Sequence, residues 1–183
     1  KNIKILKKYR KETLIICVLH ALPAFKKYEL QPDIVVHLDC DPLPSFYKLT
    51  RPSENFKIKN FVIDSRVPKE YFNFPCENIY SFPFSPWYNT AFSKTIGIRF
   101  KDYSAPNVTI FGVRLAENLG IKNIALMGND LSFTDDEIYA ENCSWQPAID
   151  AYQNNKPKYV KGYYGDTVKT ASDFVLYINQ FET

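Results

Sequence analysis

The chain has 183 residues, of which 45% are hydrophobic and 23% charged, and its formal net charge is +3. This composition is typical of a globular domain and excludes a disordered or fibrous protein, while the small charge and scattered basic residues argue against a nucleic-acid surface. The longest apolar run, residues 14–19, is far too short for a membrane span, and no signal-peptide pattern opens the chain, so we expect a cytoplasmic location.

Apolar runs in the first half of the chain predict buried strands. Residues 14–19 (LIICVL) lie between charged residues, as in a parallel strand that is covered on both faces. A short helix follows, and further strand patterns occur at residues 33–41, 56–64 and 78–82. Strands that alternate with helices predict an α/β fold with an open, mostly parallel, Rossmann-like sheet flanked by helices.

The second half contains helical and strand patterns between irregular stretches. Residues 83–105 show no sustained period, and a loop of that length inside a domain is usually functional. Residues 106–120 predict an amphipathic helix, and residues 121–127 predict a short buried strand. Residues 170–182 predict a closing amphipathic helix whose candidate core residues are Phe174, Leu176, Tyr177 and Phe181.

Acidic side chains end the second predicted strand. In the sequence HLDCDP, His37, Asp39 and Asp41 share one face of an extended segment. Carboxylates at a strand end can hold a divalent cation on a nucleotide, or bind a ribose or an amine. Asp41 precedes Pro42 and fits a helix cap better, and a histidine inside an apolar strand is typical of a hydrogen-bonded core residue. We therefore select Asp39 as the candidate binding residue.

A second polar segment follows the strand predicted at residues 121–127. Gly128, Asn129 and Asp130 come directly after that run. In open α/β sheets, the carboxyl ends of the strands face the ligand crevice, which favours a binding loop here. The same residue types are common in ordinary turns, so the pattern supports a binding loop and a plain turn about equally.

Common phosphate and metal motifs do not occur in the chain. There is no GxGxxG and no GxxxxGK[ST], which counts against classical dinucleotide enzymes and P-loop kinases. A bound phosphate would instead use the amino end of the helix predicted at residues 106–120, near Ser104 and Asn107. The four cysteines have no metal-ligand spacing, so we predict no metal site from them.

Three segments resemble those of a known family. They are YELQPDIVVHLD, NVTIFGVRLAENLGIKNIALMGNDLSF and VKGYYGDTVKTASDFVLYINQFE. They are similar to a strand, to the helix, strand and "G-DLAF" core, and to the closing helix of the motility accessory factor (Maf) proteins, a family of flagellin nonulosonic-acid transferases. The middle segment also resembles GT-A-like bacterial sialyltransferases. Archaeal proteins of the same MptE-like superfamily are pterin diphosphokinases.

The Maf resemblance implies a glycosyltransferase domain. Such a domain would move a nonulosonic, sialic-acid-like sugar from a donor activated by cytidine monophosphate (CMP) to a hydroxyl of a protein or glycan. The transferase would need no cofactor, whereas the diphosphokinase alternative would need Mg²⁺. A noncatalytic nucleotide- or glycan-binding module is the third alternative. The family's glycine-bearing "GPSL" segment lies upstream of this chain, so we expect residues 1–183 to be a single domain excised from a longer protein.

The resemblance also implies roles for individual residues. Asp39 occupies the position of the family's acid at the strand end, and Gly128, Asp130 and Leu131 match its "G-DL" positions. Asp130 and Tyr139 are the candidate catalytic residues, with Tyr139 assisting departure of the phosphate. The candidate residues for binding the substrate or nucleotide are Asp39, Ser104, Asn107, Gly128, Asn129 and Ser132.

Overall fold

A computed structural model gives the fold for residues 2–40, 56–82, 95, 105–133 and 156–181. The chain divides into two units, Lys1–Ile124 and Ala125–Thr183. Whether residues 1–183 are one domain cut from a longer protein stays a prediction.

The first unit contains a parallel sheet with the strand order β1-β2-β3-β4. Short 3-10 helices follow β1, at Leu19–Ala21, and precede β4, at Lys69–Asn73. All four strands predicted in the first half of the sequence are confirmed, as is the α/β class. The elements in chain order are α1 (Asn2–Lys8), β1 (Ile16–Val18), α2 (Leu22–Lys27), β2 (Ile34–His37), β3 (Ile58–Asp64), β4 (Cys76–Phe82) and α3 (Val108–Asn118).

Hydrophobic clusters cover both faces of this sheet, which explains the continuous apolar runs. One cluster, which contains Phe61, includes residues of β1, β2 and β3 and of both 3-10 helices. The other joins Val36 and Val62 to Phe111 and Leu115 of α3. Helix α3 packs closely on the sheet at Gly112, where an added Cβ would lie at ordinary van der Waals distances, 3.5 Å from Cγ2 of Ile16 and 3.8 Å from Cγ2 of Val36.

The carboxyl end of α3 is closed by a glycine. Gly120 has φ +83°, in the left-handed region that side chains disfavour. Its N–H donates to the carbonyl of Glu117, and the next N–H, of Ile121, donates to the carbonyl of Ala116. This pair of hydrogen bonds is the Schellman motif, which satisfies the last carbonyls of a helix.

The prediction of a strand at residues 121–127 is wrong, because the structure contains no strand there. Several large apolar side chains of this segment, such as Leu126, are exposed, whereas the pattern implied burial on both faces. A strand requires hydrogen bonds to a neighbouring strand. No ladder in the part of the chain that the structure describes includes these residues, and a sequence pattern contains no information on that pairing.

The second unit contains a hairpin and a helix. The strands β5 (Lys158–Lys161) and β6 (Thr167–Thr170) pair antiparallel, and α4 (Ser172–Phe181) follows. The helix predicted near the carboxyl terminus is confirmed, but none of its four candidate core residues is buried: Phe174, Tyr177 and Phe181 are half-buried, and Leu176 is exposed. The hairpin was not predicted, because its strands are short and largely polar.

Candidate functional site

Three polar residues meet at the carboxyl ends of β1 and β2. His20 lies in the 3-10 helix that directly follows β1, His37 is the last residue of β2, and Asp39 comes two residues later. We call these three residues the carboxyl-edge cluster. Ligands of open α/β sheets bind outside this edge, so the fold places the cluster where a site is expected.

The carboxylate of Asp39 lies near both imidazoles. Its Oδ2 is 3.9 Å from Nδ1 of His20 and 3.8 Å from Nδ1 of His37. The three side chains differ in exposure: His37 is 1% exposed, His20 is 16% exposed and Asp39 is 55% exposed. Asp39 is therefore the member of the cluster that solvent, or a ligand, can reach most readily.

Burial keeps both histidines neutral near physiological pH. Burial, with a smaller effect from the nearby His20, lowers the pKa of His37 to about 3. Burial also lowers the pKa of His20, although the Asp39 carboxylate opposes this effect. The cluster thus consists of two neutral imidazoles and an exposed carboxylate, which can accept hydrogen bonds from hydroxyl groups of a ribose or a sugar.

The ring of His37 is packed within the core. Its centroid lies 4.5 Å from that of Tyr71, which is itself buried. The prediction that His37 is a core residue is confirmed. The same ring also lies near Asp39, with Nδ1 3.8 Å from its Oδ2. A single residue therefore links the core of the sheet to its carboxyl edge.

Asn107 caps the amino end of α3. Its backbone is extended, with φ −146° and ψ 166°, and its Oδ1 accepts a hydrogen bond from the N–H of Ile110 at 2.9 Å. Pro106 therefore lies before the cap rather than in the first turn of the helix. The side-chain oxygen of Asn107 has a structural role, whether or not a phosphate binds at this helix end.

Removing the cap is expected to weaken α3. Asn107→Ala should lower the free energy of unfolding by about 1 kcal/mol, because the Ile110 N–H loses its acceptor. Asn107→Ser should stay close to the wild type, because a serine hydroxyl can accept the same hydrogen bond. Urea denaturation of the three proteins measures this difference. Equal losses for alanine and serine would contradict the capping role.

The polar segment after residue 127 belongs to the second unit and is held by β6. The Oγ1 of Thr170, which is fully buried, donates to the carbonyl of Leu131 at 2.6 Å, and the N–H of Phe133 donates to the carbonyl of Lys169 at 2.8 Å. Leu131 has φ +49°, a left-handed conformation that is strained for a leucine. Such strain persists where surrounding contacts fix the backbone, and it is common at functional loops.

The predicted site residues have different positions in the structure. Asp39 and Asn107 lie in the first unit, at a strand end and a helix cap. In the second unit, Asp130 is exposed and Asn129 is half-buried. The other predicted residues of that unit are the exposed Gly128, with φ +71°, and the half-buried Ser132. Ser104 and Tyr139 lie outside the described residues, as do the acidic residues 135–137.

Sequence reasoning missed two polar groups at the carboxyl edge. One is His20, which joins Asp39 only through the pairing of β1 with β2. The other is the ion pair of Asp64 and Arg66 at the end of β3. The sequence contains a pattern for the Asp64 ion pair, because FVIDSR is an apolar strand that ends in an acid. An acid at a strand end is also the reason for selecting Asp39.

The described ranges contain neither a metal-binding cluster nor a membrane-spanning helix. No group of three or more His, Cys, Asp or Glu side chains there is arranged to hold a metal ion. Likewise, none of the helices in those ranges is long and apolar enough to cross a membrane.

Comparisons with known proteins agree with this fold. The structure is similar to that of the MAf glycosyltransferase from Magnetospirillum magneticum AMB-1, with a TM-score of 0.63 and 22% sequence identity. The alignment covers 96% of this chain and 26% of that one. No curated protein gave a significant match. The profile of the family "6-hydroxymethylpterin diphosphokinase MptE-like" matches residues 1–136. Since this match includes the sheet and α3, the chain belongs to the MptE-like family.

Proposed function

We propose that this chain is the nucleotide-binding part of a glycosyltransferase, and that its carboxyl-edge cluster binds the nucleotide of a sugar donor. The observation that carries the proposal is the exposed carboxylate of Asp39, which lies between two neutral imidazoles at the sheet edge where α/β folds bind ligands. A ribose presents two adjacent hydroxyl donors, and a carboxylate accepts hydrogen bonds from both.

The proposed reaction transfers a nonulosonic, sialic-acid-like sugar from its CMP donor to a hydroxyl of a protein or glycan. The acceptor oxygen bonds to the anomeric carbon, while the bond from that carbon to the phosphate oxygen breaks and CMP leaves with the electron pair. The hydroxyl proton passes to a base. Because the leaving group is already activated, the protein mainly has to orient the reactants and accept this proton.

The residue roles implied by the Maf resemblance complete the proposal. Asp130 is the proposed catalytic residue that contacts the donor, and Tyr139 assists departure of the phosphate. Ser104 and Asn107 are proposed near the phosphate. Gly128, Asn129 and Ser132 are proposed as further contacts to the donor. This reaction requires no metal ion.

The family supports a second candidate, a Mg²⁺-dependent diphosphokinase that acts on a pterin. The observation that favours it is the family match over residues 1–136, whose description names that activity. In this alternative, Asp39 would help to hold Mg²⁺ on ATP. A noncatalytic module that binds a nucleotide or a glycan is the remaining alternative.

A thermal-shift panel separates these candidates, because a ligand that binds only the native state raises its melting temperature. The ligands are CMP, a CMP-activated sugar, a free sugar, a pterin and ATP, each with and without Mg²⁺. A shift with CMP and its sugar that does not require Mg²⁺ supports the transferase. A shift with ATP only in the presence of Mg²⁺ supports the diphosphokinase. A shift with the free sugar alone indicates a glycan module, and no shift at all overturns the proposal.

Asp39→Asn is expected to weaken nucleotide binding by about tenfold to a hundredfold, because hydrogen bonds to a charged group contribute about 1.5–3 kcal/mol. The melting temperature without ligand should change little, since the side chain is more than half exposed. Isothermal titration with the nucleotide identified by the panel measures the dissociation constant. Glu117→Gln is the matched control: it removes one negative charge from an exposed residue in the last turn of α3. Equal weakening by both variants would contradict a direct role for Asp39.

A further inference from the structure

The loop that carries Asp130 is attached to the carboxyl end of β6. Thr170 is the last residue of β6 and is fully buried. Its Oγ1 donates a hydrogen bond to the carbonyl of Leu131 at 2.6 Å. The backbone adds a second contact, because the N–H of Phe133 donates to the carbonyl of Lys169 at 2.8 Å. One side-chain and one backbone hydrogen bond thus hold the segment that directly follows Asp130.

Two residues with a left-handed backbone flank Asn129 and Asp130. Gly128 has φ +71° and Leu131 has φ +49°. A glycine adopts this conformation freely, whereas a leucine does so at a steric cost, because its Cβ comes close to the following carbonyl oxygen. Such a conformation persists only where surrounding contacts fix it. The hydrogen bond from Thr170 is such a contact, since it is made to the carbonyl of the strained residue itself.

Strand β6 is itself held by its neighbours in the second unit. It pairs with β5 along its whole length, and α4 begins two residues after Thr170, with the buried Ala171 between them. At the end of the loop, the ring of Phe133 packs with its centroid 5.8 Å from that of Phe174 in α4. The side chain of Asp130, in contrast, is exposed. A supported backbone therefore presents an exposed carboxylate.

We propose that Thr170 is a positioning residue, which holds Asp130 in the geometry that binds the nucleotide donor. This inference rests on the proposed function, in which Asp130 contacts the donor. Packing does little to orient an exposed side chain, so the backbone beside it determines where its carboxylate lies. The hydroxyl of Thr170 fixes the carbonyl of the very next residue. A contact residue that is already ordered before the ligand arrives lowers the entropic cost of binding.

The first test measures the affinity for CMP by isothermal titration, or for ATP with Mg²⁺ if the thermal-shift panel identifies ATP. Thr170→Val removes the donor hydroxyl and keeps the branched shape, whereas Thr170→Ser keeps the donor. Val168→Ala is the matched control, because it weakens β6 on the same face of the hairpin and leaves the hydrogen bond in place. Thr170→Val should weaken binding about threefold to tenfold, as expected for one lost hydrogen bond. Thr170→Ser and Val168→Ala should stay close to the wild type.

A second comparison tests whether Thr170 acts through Asp130. Thr170→Val is combined with Asp130→Asn, and its loss of affinity should largely disappear there, because the carboxylate that it positions has been removed. A merely structural role predicts additive losses instead. Amide hydrogen exchange of the protein without ligand gives an independent measurement. Thr170→Val should speed exchange of the Phe133 N–H, and Thr170→Ser should not.

The remaining outcomes separate this inference from the proposed function. Equal weakening by Thr170→Val and Val168→Ala, or losses that add to those of Asp130→Asn, would overturn the inference and leave the proposed function intact. Unchanged exchange at residue 133 in Thr170→Val would do the same. Binding that Thr170→Val weakens as expected, but that Asp39→Asn leaves unchanged, would support the inference and overturn the role of the carboxyl-edge cluster. A wild type that binds no nucleotide would overturn both. If Thr170→Val does not fold, Thr170→Cys, whose thiol is a weak donor, is used with the same criteria.

Discussion

Acidification from about pH 7 to about pH 4 is expected to lower the free energy of unfolding by about 3 kcal/mol through His37 alone. The side chain is 1% exposed, at the end of β2, and its ring packs on Tyr71. Burial, with a smaller effect from His20, lowers its pKa in the folded protein from 6.5 to about 3. A proton therefore binds to this imidazole much more readily in the unfolded chain than in the folded one.

The sign of the effect follows from that difference. Above the unfolded pKa of 6.5, both states hold a neutral His37 and the stability is fully present. As the pH falls from there towards about 3, only the unfolded state is protonated, so each pH unit removes about 1.4 kcal/mol of stability. His20, whose pKa burial also lowers, contributes in the same direction.

The comparison of wild type with His37→Phe isolates this effect from the titration of carboxylates. Phenylalanine keeps an aromatic ring beside Tyr71 but does not titrate. Urea denaturation at about pH 7, 6, 5 and 4 should give a steeper loss of stability for the wild type, with the two curves converging or crossing as the pH falls. Parallel curves would show that the proton uptake on unfolding comes from other groups.

The sequence predicts the sheet better than it predicts the rest of the chain. Strands β1 to β3 contain buried residues and leave apolar runs that can be read directly, whereas β4, at the edge of the sheet, has no buried residue. Residues 121–127 are also predicted to be a buried strand but form none, because an apolar pattern records hydrophobicity and not the availability of a neighbouring strand. The hairpin of β5 and β6 is largely polar, so it has no such apolar pattern. It is identified by the antiparallel backbone pairing of its two strands.

The same distinction applies to the candidate site: residues marked by a local pattern can be predicted from sequence, and contacts that depend on strand pairing cannot. Asp39 could be selected from sequence because an acid directly after a buried strand is unusual there. His20 could not, because its distance to Asp39 depends on the parallel pairing of β1 with β2, which brings together residues 19 positions apart. Asn107 was selected as a ligand contact, and the structure adds that its side chain caps α3. A cap and a phosphate site use the same amino end of a helix, so sequence alone does not separate these roles.

Arg66→Ala is expected to lower the free energy of unfolding by about 3 kcal/mol, because it leaves the fully buried carboxylate of Asp64 without its guanidinium. The loss is expected at the lower end of the range for buried pairs, since Arg66 itself is more than half exposed. Asp64→Asn should have a smaller effect, about 1 kcal/mol, because an amide oxygen can still accept the backbone N–H of Arg66.

A double-mutant cycle measured by urea denaturation near pH 7 separates this pair from its surroundings. In Asp64→Asn/Arg66→Ala the buried group is neutral, so the double variant should be more stable than Arg66→Ala alone. Arg10→Ala is the control, with an expected loss of about 1 kcal/mol, because both members of its pair are about one-third exposed. If Arg66→Ala stayed within about 0.5 kcal/mol of the wild type, the guanidinium would not compensate the buried charge. In that event, Asp64 would be held mainly by the backbone N–H of residue 66.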